Sequence, residues 1–565
     1  MFIKKTVIST RFKSIFIASM FSMCSAYVLM LTDNFVAGQF IGNAAVSAMT
    51  LIFPIFTMVV FVAYIISDGL AIMASYAKGK NDREEVNNLF SLGIILSVSC
   101  SLILFTALYF LREEILIFWD ISEHLKFFAR EYYSGVFFCA LVQIISIFNY
   151  AMLFTEGMER ACIIAASLSF VVNVILDIVL CQSIGVRGIG LATTFGTLSA
   201  VLVQLYYLNG GRSRLHFRWY WNLKKTLRGM LYSFYHSIDT LCLSLLPMIL
   251  SMQVLKYFGE EKLIIVTIAV NLLTLVMAIF TSLTDCLQPM VCQYHAENNL
   301  QSKRKTIRLG IKSAIVISLI IIFVGMIFVG FLPEMFGVKE QKLIDEATEA
   351  MRHFLPFIIF FGCTTIFANY YIYVEKGIYG TTIKFLLLLV FPVLGIFLVG
   401  NLSLNIFWMS IGISFAAVFI INYILTKRSN GLFMINEKDL SRQISYDINT
   451  TFEEVIALTK KIDADLMNRG VDDKIKNKIV MCVEEFGLHA VERAGKNIFQ
   501  LEISILLEDD VIIVIRDNGK PYDIIKNAQE GKFNFREFII EGITSKFSKR
   551  DYTFSGDENR ITLKF

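Results

Sequence analysis

Apolar residues run almost without interruption through twelve stretches, at 13–33, 44–66, 89–111, 132–154, 161–182, 188–208, 231–255, 262–290, 310–332, 354–374, 381–400 and 404–426. A helix needs roughly 20 such residues to cross the hydrocarbon core of a bilayer. The pattern therefore predicts an all-α membrane protein of twelve transmembrane helices. Past residue 427 the pattern changes. Residues 450–468 and 473–494 carry helical periodicity, while 499–507 and 511–516 read as strands joined by a turn at Glu508-Asp509-Asp510. Segment 437–565 is expected to be a separate cytoplasmic α+β domain, tethered by a linker at 428–436.

Composition agrees with a bilayer-spanning chain: 56% of residues are hydrophobic, only 18% are charged, and 50 Phe stand against 7 Pro. A net charge of +4 gives no reason to expect a nucleic-acid partner. Nine of the ten Cys lie in or beside apolar spans and no CxxC pair occurs, so they read as small buried hydrophobes, with no metal site among them. The basic start MFIKKTVISTRFK precedes an apolar run without a small-residue cleavage site, which predicts a retained first span.

Lys and Arg set the orientation. Lys4, Lys5, Arg11 and Lys13 precede the first span, Arg212 to Arg228 form a basic run after the sixth, and Lys303 to Lys312 another after the eighth. The alternate loops at 34–43 and 400–403 carry neither residue. Both termini are expected in the cytoplasm, with the chain in the plasma membrane.

Internal repetition adds an architecture. A shift of 217 residues superposes Gly42 on Gly259, Thr50 on Thr267, Asp68 on Asp285, Met73 on Met290, Asn81 on Asn298, and Leu92-Gly93-Ile94 on Leu309-Gly310-Ile311. A shift of 220 matches Asn149-Tyr150 with Asn369-Tyr370 and Gly157 with Gly377. Six spans is an even number, so the halves share one orientation. Two pseudo-symmetric six-helix bundles, 10–216 and 217–427, are expected, with a transport route between them.

Ionisable residues within spans are costly and mark ion or substrate routes. Asp33 ends span 1, and Asp177 lies in the outer part of span 5 with Asn173 one helical turn before it. Thr193 and Thr194 come at comparable depth in span 6. Two carboxylates with amide and hydroxyl oxygens suit Na+ or a proton. The repeat sends Asp33 to Leu250, Asn173 to Val393 and Asp177 to Phe397, so this constellation occurs once while the fold occurs twice. Asp68 and Asp285 do recur, and read as a structural helix-terminal or interhelical feature.

The stretches TDNFVAGQFIGNAAVSAMTLIFP (32–54), SDGLAIMASYAKGKND (67–82) and NVILDIVLCQSIGVRGIGLATT (173–194) resemble the multidrug and toxic compound extrusion (MATE) family. The resemblance covers roughly 10–427. It implies a twelve-helix exporter of small organic compounds, some of them cationic, driven by entry of H+ or Na+. It places that family's cation site on Asp33, Asn173 and Asp177, with Thr193 or Thr194 as a further member.

In the tail, KIKNKIVMCVEEFGLHAVERAGK (474–496) and DNGKPYD (517–523) resemble the GHKL ATPases, above all the anti-sigma-factor serine-kinase type, and 541–565 resembles their closing helix and strand. The resemblance implies Glu485 as the activating carboxylate and Asp517, beside Gly519, as the adenine-binding residue. The Mg2+ position holds His489, a poor ligand for a hard cation, and the second glycine cluster is reduced to Gly531 and Gly542. ATP binding is thus weakened and kinase or ATPase activity is not expected. The tail is expected to regulate the transporter or recruit a cytoplasmic protein. The competing expectation is a membrane signalling protein whose bundle senses a ligand. A lipid-precursor flippase ranks below both, because no Lys or Arg cluster lies within the spans.

Overall fold

A computed structural model describes residues 5–117, 123–209, 213–259, 262–335, 338, 340–429, 437–495, 497–507, 510–529, 535–545, 547–555 and 558–564. Among the described residues, twelve helices are long and apolar enough to cross a membrane. They are α1 (Val7–Phe40), α2 (Ile55–Gly79), α3 (Arg83–Phe110), α4 (Glu123–Glu156), α5 (Glu159–Ile184) and α6 (Val186–Leu208) in the first half. In the second half they are α7 (Leu223–Phe258), α8 (Leu263–Ala296), α9 (Leu300–Phe328), α10 (Gln341–Tyr373), α11 (Gly377–Val399) and α12 (Leu404–Lys427). Several run well past the expected spans, because charged end residues continue the helix beyond the apolar stretch.

The backbone repeats along with the sequence. Asn81 and Asn298 both adopt left-handed backbone, at φ 61 and 56. Each is followed by a helix-capping side chain: Asp82 accepts from the Glu85 N–H at 2.9 Å and Asn299 from the Ser302 N–H at 3.0 Å. Short 3-10 steps at Phe137–Cys139 and Leu355–Phe357 interrupt α4 and α10 at corresponding places. The turns joining α1 to α2 and α7 to α8 use Gly42 and Gly259 at φ 120 and 90, a region open to glycine.

The halves meet through α2 against α7 and through α1 and α2 against α8. Where lipid is as apolar as the side chains, such a seam depends on close packing and hydrogen bonds. A Cβ on Gly69 of α2 would come within 1.8 Å of the Gly229 carbonyl oxygen on α7, so only glycine fits there. The Gly69 N–H donates to the Ser233 hydroxyl at 2.6 Å, and Tyr76 donates to the Tyr373 carbonyl at 2.9 Å.

After α12 the chain forms a five-stranded antiparallel sheet. Its strands are β1 (Gln443–Asn449), β2 (Gln500–Leu507), β3 (Val511–Asp517), β4 (Lys549–Ser555) and β5 (Glu558–Lys564), in the order β1-β2-β3-β5-β4. Helices α13 (Phe452–Asn468), α14 (Asp473–Ala494) and α15 (Phe535–Thr544) accompany the sheet, with short helices at Glu437–Ser441 and Ile524–Gln529. The two expected helices and two expected strands agree with α13, α14, β2 and β3. The tail, read as one helix and one strand, holds two strands, and β1 went unread. Residues 430–436 of the linker, 508 and 509 of the turn, and Gly531 lie outside the described residues.

Strand alternation gives the sheet two unlike faces. Leu501, Ile503, Ile505, Ile513, Ile515 and Leu563 bury one face against Ile462, Leu466, Ile479, Val483 and Phe486 of α13 and α14. The other face carries a row of charge across neighbouring strands, Asp447 opposite Glu502, Glu502 opposite Arg516, and Arg516 opposite Arg560. Glu502 and Arg516 on this face are fully buried, and the Asp447 side chain is 15% exposed. The face is pressed against the ends of α1, α2, α8 and α9.

Candidate functional site

Glycines in α6 bring three helices together in the first half. A Cβ on Gly190 would lie 2.5 Å from the Val136 nitrogen of α4, and one on Gly196 would lie 2.9 Å from the Asn173 Cβ of α5. Close approach at these points brings Thr193 beside Asn173 and Asp33. The Thr193 hydroxyl is 3.3 Å from Asp33 Oδ2, and the Asn173 amide nitrogen is 3.5 Å from the same hydroxyl. Asp177 is fully buried and Asn173 nearly so, and the Asp33 and Asp177 carboxyls face each other within reach of a shared proton. Thr194 instead donates to the Gly190 carbonyl of its own helix at 3.1 Å.

Four oxygens here stand out: Asp33 Oδ1, both carboxylate oxygens of Asp177, and Asn173 Oδ1. Each is buried and receives no hydrogen bond from a donor among the described residues. Buried oxygens are ordinarily satisfied. Two facing carboxylates, of which only Asp33 Oδ2 is reached by the Thr193 hydroxyl, call for positive charge between them, as protons or as a hard cation coordinated by oxygen. No group of three or more His, Cys, Asp or Glu side chains that could hold a metal ion occurs among the described residues.

Sequence reasoning missed the wall of this site on α4. Tyr132 and Cys139 lie within electrostatic reach of Asp33, and Gln143 Oε1 lies 3.4 Å from the Thr197 hydroxyl. Their signal was weak, since neutral polar residues in an apolar span carry no charge to notice. At the repeat-related positions Leu250 is buried and Phe397 is 59% exposed on the outer surface, so the second half has no counterpart.

In the appended domain, the residues implied by the ATPase resemblance are tied to one another. Asp517 accepts from Arg493 at 3.2 Å, from the Gly519 N–H at 2.9 Å and from the Asn559 amide at 2.8 Å. Glu485 pairs with Arg536 at 2.7 Å. His489 sits 3.2 Å from Glu537, and burial, then the neighbouring Arg493, push its imidazole below the ordinary histidine value. Gly542 is exposed, and a Cβ there would meet no described atom within 4 Å.

The charged sheet face docks on both halves. From the first half, Arg11 of α1 reaches Glu558 at 3.0 Å, and Arg560 donates to the Lys78 and Gly79 carbonyls of α2 at 3.1 and 2.8 Å. From the second half, Glu297 at the end of α8 pairs with Arg516 and with Arg560, the latter at 3.2 Å. On α9, Ser302 bonds Glu502, and Lys305 bonds Asp447 at 2.6 Å. Arg516 is fully buried between Glu297, Glu502 and Glu558 with its guanidinium over the Tyr294 ring. Burial alone would lower its basicity, yet the three carboxylates raise it. Burial alone would likewise raise Glu297, and Arg516 and Arg560 hold it below the ordinary glutamate value.

Comparison with known proteins gives a consistent picture. A family model described as MatE matches residues 18–179 and again 237–398, one copy per half. Among solved structures, a MATE protein in complex with MaL6 is 18% identical, with a TM-score of 0.69, covering 74% of this chain and 95% of that one. A MOP superfamily transporter from Pyrococcus furiosus, described as having a binding pocket of reversed polarity, is 18% identical. Its TM-score is 0.69, and the match covers 75% of this chain and 98% of that one. A multidrug resistance MATE family transporter in an outward-facing conformation is 17% identical with a TM-score of 0.69, covering 75% and 98%. No curated protein sequence matches.

Proposed function

The chain belongs to the MatE family of membrane transporters, and on that premise we propose that it is a cation-coupled antiporter exporting small organic compounds. The observation that carries the coupling is the cluster of four donorless oxygens on Asp33, Asn173 and Asp177, inside one half of a repeat that is otherwise kept. A requirement of the fold would recur in both halves, whereas a site for one exchangeable ion need occur only once. Thr193 supports the set through its hydroxyl, and either H+ or Na+ meets its chemistry.

The Lys and Arg runs support cytoplasmic termini in the plasma membrane. The tight seam at the domain side then corresponds to a transporter closed to the cytoplasm. The appended domain acts in this reading as a regulatory clasp. It grips α1 and α2 of one half and α8 and α9 of the other, so parting the halves at that side requires it to let go of one. Its GHKL-like residues serve internal ion pairs, which supports a degenerate, protein-binding role over catalysis and ranks the signalling alternative second. Uptake and efflux of a panel of organic cations in proteoliposomes, under imposed Na+ or pH gradients, test the reading. Gradient-driven movement is expected with one of the two ions. Movement indifferent to both gradients would refute it.

A further inference from the structure

The chain that joins the two halves lacks regular structure yet is firmly placed. Residues 213–222, SRLHFRWYWN, form neither helix nor strand and lead into α7 at Leu223. The His216 N–H donates to Asn87 Oδ1 at 3.0 Å, and the Arg218 N–H donates to the Ser91 hydroxyl at 2.9 Å. Asn87 and Ser91 are four residues apart on α3, about 6 Å along its axis. Two residues of extended chain cover nearly the same distance, about 6.6 Å. The segment therefore runs along α3 as an extended strap, from the helix start towards the bilayer. Leu215 pins it by burial in the core of the first half, and Tyr220 packs against the same core.

Depth follows from α3. The helix begins at Arg83, its apolar run begins at residue 89, and Ser91 lies at that boundary. Arg218, bonded there by its backbone, sends its guanidinium back to within 3.8 Å of Glu84, about two turns towards the helix start. A long cation at a bilayer edge behaves in this way, with its stem along apolar surface and its head in the polar layer.

The neighbouring side chains take the other direction. Phe217, Trp219 and Trp221 are 51%, 84% and 55% exposed. A contiguous aromatic patch of this kind is costly in water, whereas the boundary between headgroups and hydrocarbon is where Trp is favoured. The apolar row continues into α7 through the exposed Leu223, Leu227 and Leu231, four residues apart on one helix face. The strap is thus the rim of a lipid-facing surface.

Charge selects the lipid. Arg214 and Arg218 on the strap and Lys224 just beyond it are exposed. Of the carboxylates beside them, Glu84 faces Arg218 and Glu85 is taken by Lys225 at 2.5 Å. The excess is positive, and guanidinium groups match phosphate oxygens in geometry as well as charge.

We propose that residues 213–222 form a membrane-interface strap that holds anionic phospholipid headgroups through Arg214 and Arg218, with Trp219 and Trp221 seated among the first acyl carbons. The leaflet is the one on the side of the appended domain. The strap ties the start of α7, and with it the joint between the halves, to that leaflet. The inference needs only a chain that spans a bilayer, and stands whether or not Asp33 and Asp177 couple an ion to transport.

Full-length protein in vesicles of phosphatidylcholine mixed equally with phosphatidylglycerol tests it. One lipid at a time carries bromine near the head of its acyl chains, where it quenches only a Trp that touches the chains. The emission lost in W219F/W221F, taken by difference, is the signal of the strap. That signal should be quenched by brominated lipid and shielded from aqueous iodide. Brominated phosphatidylglycerol should quench more than brominated phosphatidylcholine, by a preference of about fivefold for each arginine contact. Arg214→Gln combined with Arg218→Gln should abolish the preference and leave the quenching. In the unmodified protein, hydrogen exchange across 214–221 should slow when phosphatidylglycerol is added to phosphatidylcholine, a reading that needs no variant. Quenching by iodide without quenching by brominated lipid overturns the proposal. So does protection from both, which would mean that protein covers the strap. Equal quenching by the two brominated lipids, or unchanged exchange, overturns the assignment to anionic headgroups.

Discussion

Replacing Arg516 with alanine removes the cation at the centre of the docked face and leaves Glu297, Glu502 and Glu558 buried around the space it filled. Breaking a buried ion pair by removing one partner costs about 3–5 kcal/mol, because the desolvated charges left behind lose their compensation. Arg560 remains 3.2 Å from Glu297 and Arg11 remains 3.0 Å from Glu558, which places the expected cost at the lower end, about 3 kcal/mol. At about 1.4 kcal/mol per factor of ten, the docking equilibrium should weaken by roughly two orders of magnitude. The domain's own core lies on the opposite face of the sheet, so folding should survive. Hydrogen exchange by mass spectrometry reads the outcome. Peptides covering 295–303 and 76–80 should exchange faster in Arg516→Ala, while those from α14 should keep their protection. If the domain is a clasp, transport should also gain speed. Unchanged exchange at both contact segments would refute the electrostatic account of docking.

Three further outcomes follow from the geometry. Gly69→Ala drives a methyl into the Gly229 carbonyl and should disfavour the closed seam by about 1–3 kcal/mol, seen as a longer distance between spin labels at the exposed positions Lys80 and Lys376, one in each half. Isothermal titration of the purified full-length protein with ATP should give no Mg2+-dependent binding, since Arg493 and Arg536 occupy Asp517 and Glu485. Tight, Mg2+-dependent binding would revive the signalling alternative. Burial and Arg493 hold His489 below the ordinary value of 6.5, so the unfolded chain takes up its proton first. Its contribution is complete above about pH 6.5 and shrinks as pH falls below that value. His489→Asn should flatten the acid limb of domain stability measured by thermal melting.

Much of this was legible in the sequence because the bilayer leaves long apolar runs and because the chain repeats itself. The 217-residue shift found at Asn81 and Asn298 reappears as two left-handed residues before two capped helices, since the same turn needs the same local chemistry. Asp33, Asn173 and Asp177 could be singled out because charge inside a span is rare. Asp68 reads as a helix-terminal or interhelical feature, and only the folded chain shows its partners on α7, His236 at 2.9 Å and Ser237 at 3.3 Å. The docking of the sheet is not legible in the sequence for a similar reason. Glu502 within QLEISILL and Arg516 within VIIVIRD alternate like residues on a solvent-facing side of a sheet. Nothing local tells that Arg11 and Glu297, hundreds of residues earlier, will cover them. Strand β1, QISYDIN, escaped notice because that same face leaves half of it polar.

The central claim, that Asp33 and Asp177 bind the coupling ion, is tested most directly by gradient-driven substrate efflux from proteoliposomes, measured side by side for the unmodified protein, Asp33→Asn and Asp177→Asn. An amide keeps the shape of the side chain but cannot alternate between a charged and a neutralised state. Each variant should reconstitute in normal amount and lose gradient-driven efflux, while Phe397→Ala, at the position the repeat aligns with Asp177, should retain it. Full gradient-driven efflux in either Asp variant would contradict the account.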